Sequence, residues 1–274
     1  MLRSLLVSDL DGTLLDSNKQ VSALSARILN KFISCGGLFT VATARMVYGC
    51  QDRLSELDLQ LPWIVMNGAA LYSPLTRTYE HYFSVDPANL EHLATIIEQT
   101  QAGAFIYAIN KGHLVIGHAR NRDLEWTQYN SRAAREANVP ISNIGYGNWS
   151  ALGNVVYCAV VGTKEQLASI AMSVLNISGL RAFPYKNVYS NTECLEIASS
   201  EAGKDNAVRL LSLGLVAQEL IVFGDNYNDL EMMRMADIAL APHGAEPEAV
   251  AEAHRTIESN DDDGVAREIE RRFL

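Results

Sequence analysis

The chain has 274 residues, 48% of them hydrophobic, and a formal net charge of -10. That length suits a core with a second, smaller domain. The negative charge argues against nucleic acid or an anionic membrane as partner, and no apolar run approaches the ~20 residues of a membrane span.

The first element is the apolar run Leu5–Val7, a short buried strand that leads into Asp9-Leu10-Asp11-Gly12-Thr13. Period 2 would place the Asp9 and Asp11 side chains on one face of that strand. Carboxylates that close repel unless one is protonated or a cation lies between them. The pair therefore reads as a general acid/base couple or as a hard-metal site, and ligand crevices form outside the carboxyl ends of such strands. Alone, the stretch is as readily a plain Asp-Gly turn.

Val21–Ser34 has helical apolar spacing and ends at Cys35-Gly36-Gly37. Leu38–Ala42 is a second strand, followed by Thr43-Ala44-Arg45 and a predicted helix over Met46–Leu57. That helix would put Thr43 beside unpaired N–H groups suited to an anion. Trp63–Met66 is a third strand ending in Asn67-Gly68. Two crossovers joining three short strands predict a doubly wound parallel sheet, an α/β fold of Rossmann-like kind.

The pattern then changes. Leu71–Tyr72 with Thr78–Phe83 reads as a hairpin, and Asp86-Pro87 caps a helix running to about Gln99. Ala104–Asn110 and His113–Gly117 form a second hairpin around Lys111-Gly112. Asp123–Glu136 reads as a polar helix and Pro140–Gly153 as a loop. Val155–Val161, Lys164–Leu175 and Leu180–Pro184 complete a strand–helix–strand run. Residues 84–186 therefore read as an inserted α/β domain, splitting a core domain into 1–83 and 187–274. Hinges are expected near Phe83–Val85 and Lys186–Tyr189.

After the insert the parallel pattern is read as resuming, with strands at Cys194–Ala198, Glu219–Phe223 and Ile238–Ala241. Helices are expected at Gly203–Leu213, Tyr227–Met235, Pro247–Ala253 and Val265–Phe273. Lys204 stands at the start of the first. Gly224-Asp225-Asn226-Tyr227-Asn228-Asp229 lies just past the Glu219–Phe223 strand. Together Asp9/Asp11, Thr43, Lys204 and this acidic loop supply a carboxylate nucleophile, a second acid, a hydroxyl, an ammonium and metal ligands. That inventory suits phosphoryl transfer, which relies on positioning and charge neutralisation. Mg²⁺ takes oxygen ligands and keeps several waters, so two or three carboxylates suffice.

The motifs D-L-D-G-T-L-L at 9–15, A-T-A-R at 42–45, Lys204, and G-D-N-Y-N-D at 224–229 resemble the four motifs of the haloacid dehalogenase-like superfamily of phosphohydrolases. The insertion after Asn67-Gly68-Ala69 resembles the class-II α/β cap of its Cof-like branch. Asp263-Gly264-Val265-Ala266 resembles the C-terminal signature of that branch. The resemblance implies an Mg²⁺-dependent phosphatase acting on a small phosphorylated metabolite, a sugar phosphate or similar, through an aspartyl-phosphate. It makes Asp9 the nucleophile and Asp11 the general acid/base, with the Asp11 backbone carbonyl, Asp9 and Asp225 on the metal. Thr43, Ala44, Lys204 and Asn228 would bind phosphate, Arg45 and Asn67 the leaving group, and Asp229 would orient Lys204 or a metal-bound water. Ala44 stands where the second motif usually has glycine. A phosphomutase uses the same two acids, and a receiver-like phospho-acceptor also gathers acids around Mg²⁺; both remain alternatives.

The run Asp261-Asp262-Asp263 reads as solvated charge at a helix start. Cys35, Cys50, Cys158 and Cys194 carry no C-x-x-C spacing and read as core thiols of a reducing compartment. With strand pattern starting close to Met1, no leader is expected, and a cytoplasmic location follows. Asn110, Lys111, His113, Tyr185 and Asn187 are polar candidates in the insert for contacting the substrate.

Overall fold

The computed structural model describes residues 3–119, 138–186 and 193–274, without the side chains of Tyr185 and Lys186. The chain forms two compact units, one made of residues 1–78 and 203–274 and the other of 79–202.

The first unit is built on a five-stranded, wholly parallel sheet. Its strands are β1 (Ser4–Ser8), β2 (Leu38–Val41), β12 (Glu219–Phe223), β13 (Ile238–Pro242) and β14 (Arg255–Ile257), in the order β14-β13-β12-β1-β2. β1 is an interior strand, between β12 and β2, and is buried at every position, as expected of a strand covered on both faces. Helix α1 (Ala23–Ser34) connects β1 to β2; Ser22 caps it by accepting from the Ser25 N–H, and Gly36 follows at φ +86°. β3 (Trp63–Val65) turns away from the parallel sheet. It keeps one parallel bridge, Ala42 to Ile64, and pairs antiparallel with β4 (Ala70–Ser73). Helix α4 (Lys204–Leu215) leads into β12, α5 (Leu230–Arg234) into β13, α6 (Pro247–Glu252) into β14, and α7 (Gly264–Phe273) closes the chain. Phe273 of α7 meets Phe32 of α1 at a ring-centroid distance of 5.2 Å.

The second unit begins at Tyr79, one residue into β5 (Thr78–Tyr82). Its sheet has the order β10-β11-β9-β6-β7-β8, from β6 (Gly103–Asn110), β7 (His113–Ala119), β8 (Ile141–Asn143), β9 (Asn154–Val161), β10 (Leu180–Lys186) and β11 (Glu193–Ser199). All pairings are antiparallel except β7 with β8. Lys111 and Gly112 turn β6 into β7 at φ 50° and 80°, the left-handed pair that a two-residue hairpin needs. Helices α2 (Pro87–Thr100) and α3 (Lys164–Val174) share one core with this sheet; Leu93, Ile97 and Ile170 lie with Ile106, Val160 and Ile197 in it. Asp86 caps α2 by accepting from the Ala88 N–H.

Several elements differ from the sequence reading. The strand expected at Cys194–Ala198 is β11, and it pairs with β9 and β10 in the second unit rather than with the parallel sheet. Nothing in its composition separates the two sheets, because both bury apolar strands. The second unit consequently runs from Tyr79 to Ala202. The expected hinge at Phe83–Val85 lies inside it, with the Val85 N–H bonded to the Val155 carbonyl at 2.8 Å. Met46–Leu57 is not an α-helix but a 3₁₀ turn at Val47–Gly49 followed by irregular turns. There the Gly49 carbonyl accepts from the Arg53 guanidinium at 2.9 Å, a side-chain donor in place of a helical N–H. Pro140–Gly153 holds the short β8 and a 3₁₀ turn at Trp149–Leu152. The polar helix expected at Asp123–Glu136 and most of the Lys186–Tyr189 hinge lie outside the described residues. Among the cysteines, Cys35 is exposed and the other three are buried, with none of them in a disulfide among the described residues. Among the described residues, no helix is long and apolar enough to cross a membrane.

Candidate active site

Three neighbouring parallel strands, β12, β1 and β2, end level with one another, with Ser8 paired to Phe223 on one side and to Val41 on the other. The residues just beyond them are therefore brought together by sheet register alone. They are Asp9 after β1, Thr43 after β2, and Gly224-Asp225 after β12.

Lys204, the first residue of α4, reaches into this group. Its Nζ donates to Asp9 Oδ1 and to Asp229 Oδ1, each at 2.6 Å, and all three side chains are almost wholly buried. The other Asp229 oxygen accepts from the Asp225 N–H at 3.0 Å and the Asn226 N–H at 3.1 Å. Asp229 thus fixes both the ammonium and the loop that carries Asp225. Asp225 Oδ1 accepts from the Thr13 hydroxyl at 2.9 Å. Oxygens of Asp9, Asp225 and Asp229 come within 4.8 Å of one another.

The electrostatics of this cluster are unbalanced. Three carboxylates face one ammonium. Burial pushes the Asp9 carboxyl well up; Lys204 opposes this, and Asp229 and Asp225 add to it. Burial, with Asp229 next, pushes Asp225 up to about 6. Burial alone would lower Lys204, but Asp229 and Asp9 outweigh it and hold the ammonium charged. A hard divalent cation fits such a donor set, because it supplies the positive charge that Lys204 alone does not. Both Asp229 oxygens are already engaged, which leaves Asp9 and Asp225 with carboxylate oxygens to offer.

Asp11 lies two residues from Asp9 but in different surroundings. Its side chain is about one-third exposed and takes the Arg45 guanidinium in a fork, Nε to Oδ2 at 2.6 Å and Nη2 to Oδ1 at 2.7 Å. Lys19 Nζ stands 3.3 Å from Oδ1. Burial works to raise this carboxyl, yet Arg45 and Lys19 together hold it below its usual range. The Asp11 carboxylate is not part of the acidic cluster around Asp9.

Thr43 is buried, and its hydroxyl oxygen accepts from the Arg45 N–H at 3.1 Å. Ala44 is exposed, so its methyl has room, and its N–H makes no backbone hydrogen bond among the described residues. Asn67, at φ 53°, accepts from Asn228 Nδ2 at 3.0 Å, which joins these two candidates. In the second unit Asn110 donates to the Leu152 carbonyl at 3.1 Å, and Lys111 and Gly112 make the adjoining turn. The side chains of Tyr185 and Asn187 lie outside the described residues.

Four contributors carry no signal of their own in the sequence. Thr13 stands in the D-L-D-G-T run, but its partner Asp225 is 212 residues away, and Lys19 reaches Asp11 from the following turn; a strand-end reading passes over both. Gly68 (φ +84°) admits the chain against α4, where an added Cβ would overlap the Gly203 carbonyl and crowd the Lys204 N–H. Gly12 (φ +89°) leaves room for the Asp225 carboxylate, which a Cβ there would strike. Gly12 could have been suspected from its place after Asp11 and Gly68 from its place after the Trp63–Met66 run. The run Asp261–Asp263 holds no cluster of metal-ligand geometry among the described residues. Asp261 accepts from the Ser17 N–H at 2.7 Å, and Asp263 accepts from the Ser22 and Ser25 hydroxyls, so the run ties α7 to the entry of α1.

The family model of haloacid dehalogenase-like hydrolases matches residues 6–269. The 5-amino-6-(5-phospho-D-ribitylamino)uracil phosphatase YitU of Bacillus subtilis is 23% identical, with 98% of this chain and 97% of that protein covered. A haloacid dehalogenase-like hydrolase of Bacteroides thetaiotaomicron superposes with a TM-score of 0.78 at 22% identity, over 98% of this chain and 99% of the other. A sugar phosphatase of HAD subclass IIB superposes with a TM-score of 0.72 at 17% identity, over 98% of each chain.

Proposed function

Since the chain belongs to the haloacid dehalogenase-like hydrolase family, we propose that it is an Mg²⁺-dependent phosphatase that hydrolyses a small phosphorylated metabolite, a sugar phosphate or similar. The observation that carries this reading is the buried Asp9–Lys204–Asp229 network at the ends of the parallel strands. It presents one carboxylate, Asp9, fixed and stripped of water, beside an ammonium that can follow charge from nucleophile to phosphoryl group.

In the first half-reaction Asp9 attacks phosphorus and the alcohol oxygen leaves with a proton from Asp11. In the second, Asp11 as carboxylate takes a proton from water, which attacks the phosphorus of the aspartyl-phosphate and restores Asp9. The fork with Arg45 supports the base form of Asp11 and fixes its direction. Asp9, Asp225 and the Asp11 carbonyl would hold Mg²⁺. When bound, the ion neutralises the carboxylates and the transferring phosphoryl oxygens. The Thr43 hydroxyl and Ala44 N–H would take phosphoryl oxygens, with Lys204 on another and Asn228 beside them. Asp229 would act through Lys204, and Arg45 and Asn67 would meet the leaving group. The relatives that act on a phosphorylated ribityl compound and on sugar phosphates support the substrate class.

The test is phosphate release from a panel of phosphorylated metabolites, with Mg²⁺ and with EDTA, for wild type and Asp9→Asn. The expected result is metal-dependent release that falls roughly 10⁴-fold in the variant. Full activity in Asp9→Asn, or undiminished release in EDTA, would overturn the reading.

A further inference from the structure

Resting on that reading of Asp11, we propose that Lys19 is a specificity-determining residue that selects substrates carrying a second anionic group, a carboxylate or another phosphate, close to the ester oxygen. The single juxtaposition behind it is the Lys19 ammonium 3.3 Å from the acid that serves the leaving group.

Charge complementarity gives the argument. Around Asp9 three carboxylates face one ammonium, a deficit that suits a divalent metal. Around Asp11 the imbalance has the opposite sign, since one carboxylate faces both Arg45 and Lys19. The fork with Arg45 already occupies both Asp11 oxygens. Lys19 therefore adds little to holding Asp11 in place, and an ammonium with half its side chain in solvent gains little from the pair. What remains is a cation beside the proposed leaving-group acid whose one ion pair among the described residues is with Asp11, while an ammonium has three donors.

The backbone presents it deliberately. Residues 16–20 form a closed turn in which the Asp16 N–H donates to the Gln20 carbonyl at 3.0 Å, the Lys19 N–H to the Asp16 carbonyl at 2.9 Å, and the Gln20 N–H to Asp16 Oδ1 at 2.9 Å. Lys19 itself sits at φ 61°, a conformation uncommon for a side chain of this kind. A leaving group with its own anion would meet Lys19 while its ester oxygen lies at Asp11. A neutral leaving group would leave the ammonium to Asp11 and water.

The experiment compares 3-phosphoglycerate with glycerol 3-phosphate, which differ in a carboxylate against a hydroxymethyl group. It reads the ratio of their kcat/KM values in wild type, Lys19→Gln and Lys19→Arg. The expected result is a wild-type preference for the carboxylate compound that falls at least tenfold in Lys19→Gln and is kept in Lys19→Arg. Where wild type turns over neither compound, the same ratio is read as calorimetric affinities in Mg²⁺. A preference there that disappears in Lys19→Gln sustains this inference, while the hydrolase reading is decided separately by the metabolite panel and Asp9→Asn. No wild-type preference, or a ratio that Lys19→Gln does not move, overturns it.

Discussion

Asp9 and Asp11 stand two residues apart, yet they occupy opposite electrostatic regions. Asp9 is sealed with Asp225, Asp229 and a single buried ammonium. Asp11 is partly solvated and lies between two cations. A carboxylate among carboxylates is pushed up, and one among cations is held down. Two residues therefore separate the proposed nucleophile, buried among carboxylates, from the proposed acid/base group, which solvent can still reach. The sheet produces this difference. Strand register closes three chain segments around Asp9, whereas Asp11 has already left the sheet for the turn at Gly12.

The contrast predicts unequal costs when each cation is removed. Lys204→Met leaves two buried carboxylates, Asp9 and Asp229, without their partner, which should cost about 3–5 kcal/mol in chemical denaturation. A cost near zero would mean that the inner network is not what fixes these strand ends. Gly68→Ala attacks the same region through the backbone, by forcing a Cβ against the Gly203 carbonyl at a left-handed φ. It should cost about 1–3 kcal/mol and lower activity by displacing Lys204; unchanged stability and turnover would show that α4 has slack. Arg45→Ala, on the outer region, should cost about 1 kcal/mol or less, because water can replace the guanidinium at a partly exposed carboxylate. A loss as large as that of Lys204→Met would erase the distinction between the regions.

The pH dependence sharpens the comparison further. Asp225 has a folded value of about 6, above the ~3.9 of an unfolded aspartate. A raised acid favours the folded state most below the unfolded value, so this contribution is lost as pH rises from about 4 through 6 in metal-free protein. Asp11 has the opposite sign. Its contribution is present above ~3.9 and is lost as pH falls through its lowered folded value. At the proposed site Mg²⁺ would compete with the proton on the inner carboxylates. The rise in Tm on adding Mg²⁺ should therefore be larger at pH 7 than at pH 5. An equal rise at both would place the ion away from Asp9 and Asp225.

How much of this was legible in the sequence follows the same division. Short apolar runs that end in Asp9, Thr43 and Gly224-Asp225 mark parallel strand ends, because only a covered strand is apolar throughout. The site's principal residues could be nominated there, and the Asp86-Pro87 and Lys111-Gly112 signals fixed a helix start and a hairpin. What was not legible depends on long-range pairing or on side-chain partners. β11 carries an apolar pattern that either sheet could accept, and its place is set only by β9 and β10. β14 has just one buried residue of three, so it gives no apolar run to read. The turns after Arg45 have buried residues at helical spacing, Val47, Cys50, Leu54 and Leu57, but a guanidinium takes the Gly49 carbonyl. Lys19 reaches Asp11 through a turn whose shape its sequence does not announce.

The most direct measurement is acid-quenched peptide mapping of the protein mixed with its best phosphorylated substrate and Mg²⁺. The account predicts a transient phosphoryl group on the peptide holding Asp9, absent from Asp9→Asn and from metal-free protein. Steady phosphate release with no phosphoryl group on that peptide, from wild type and Asp9→Asn alike, would contradict it.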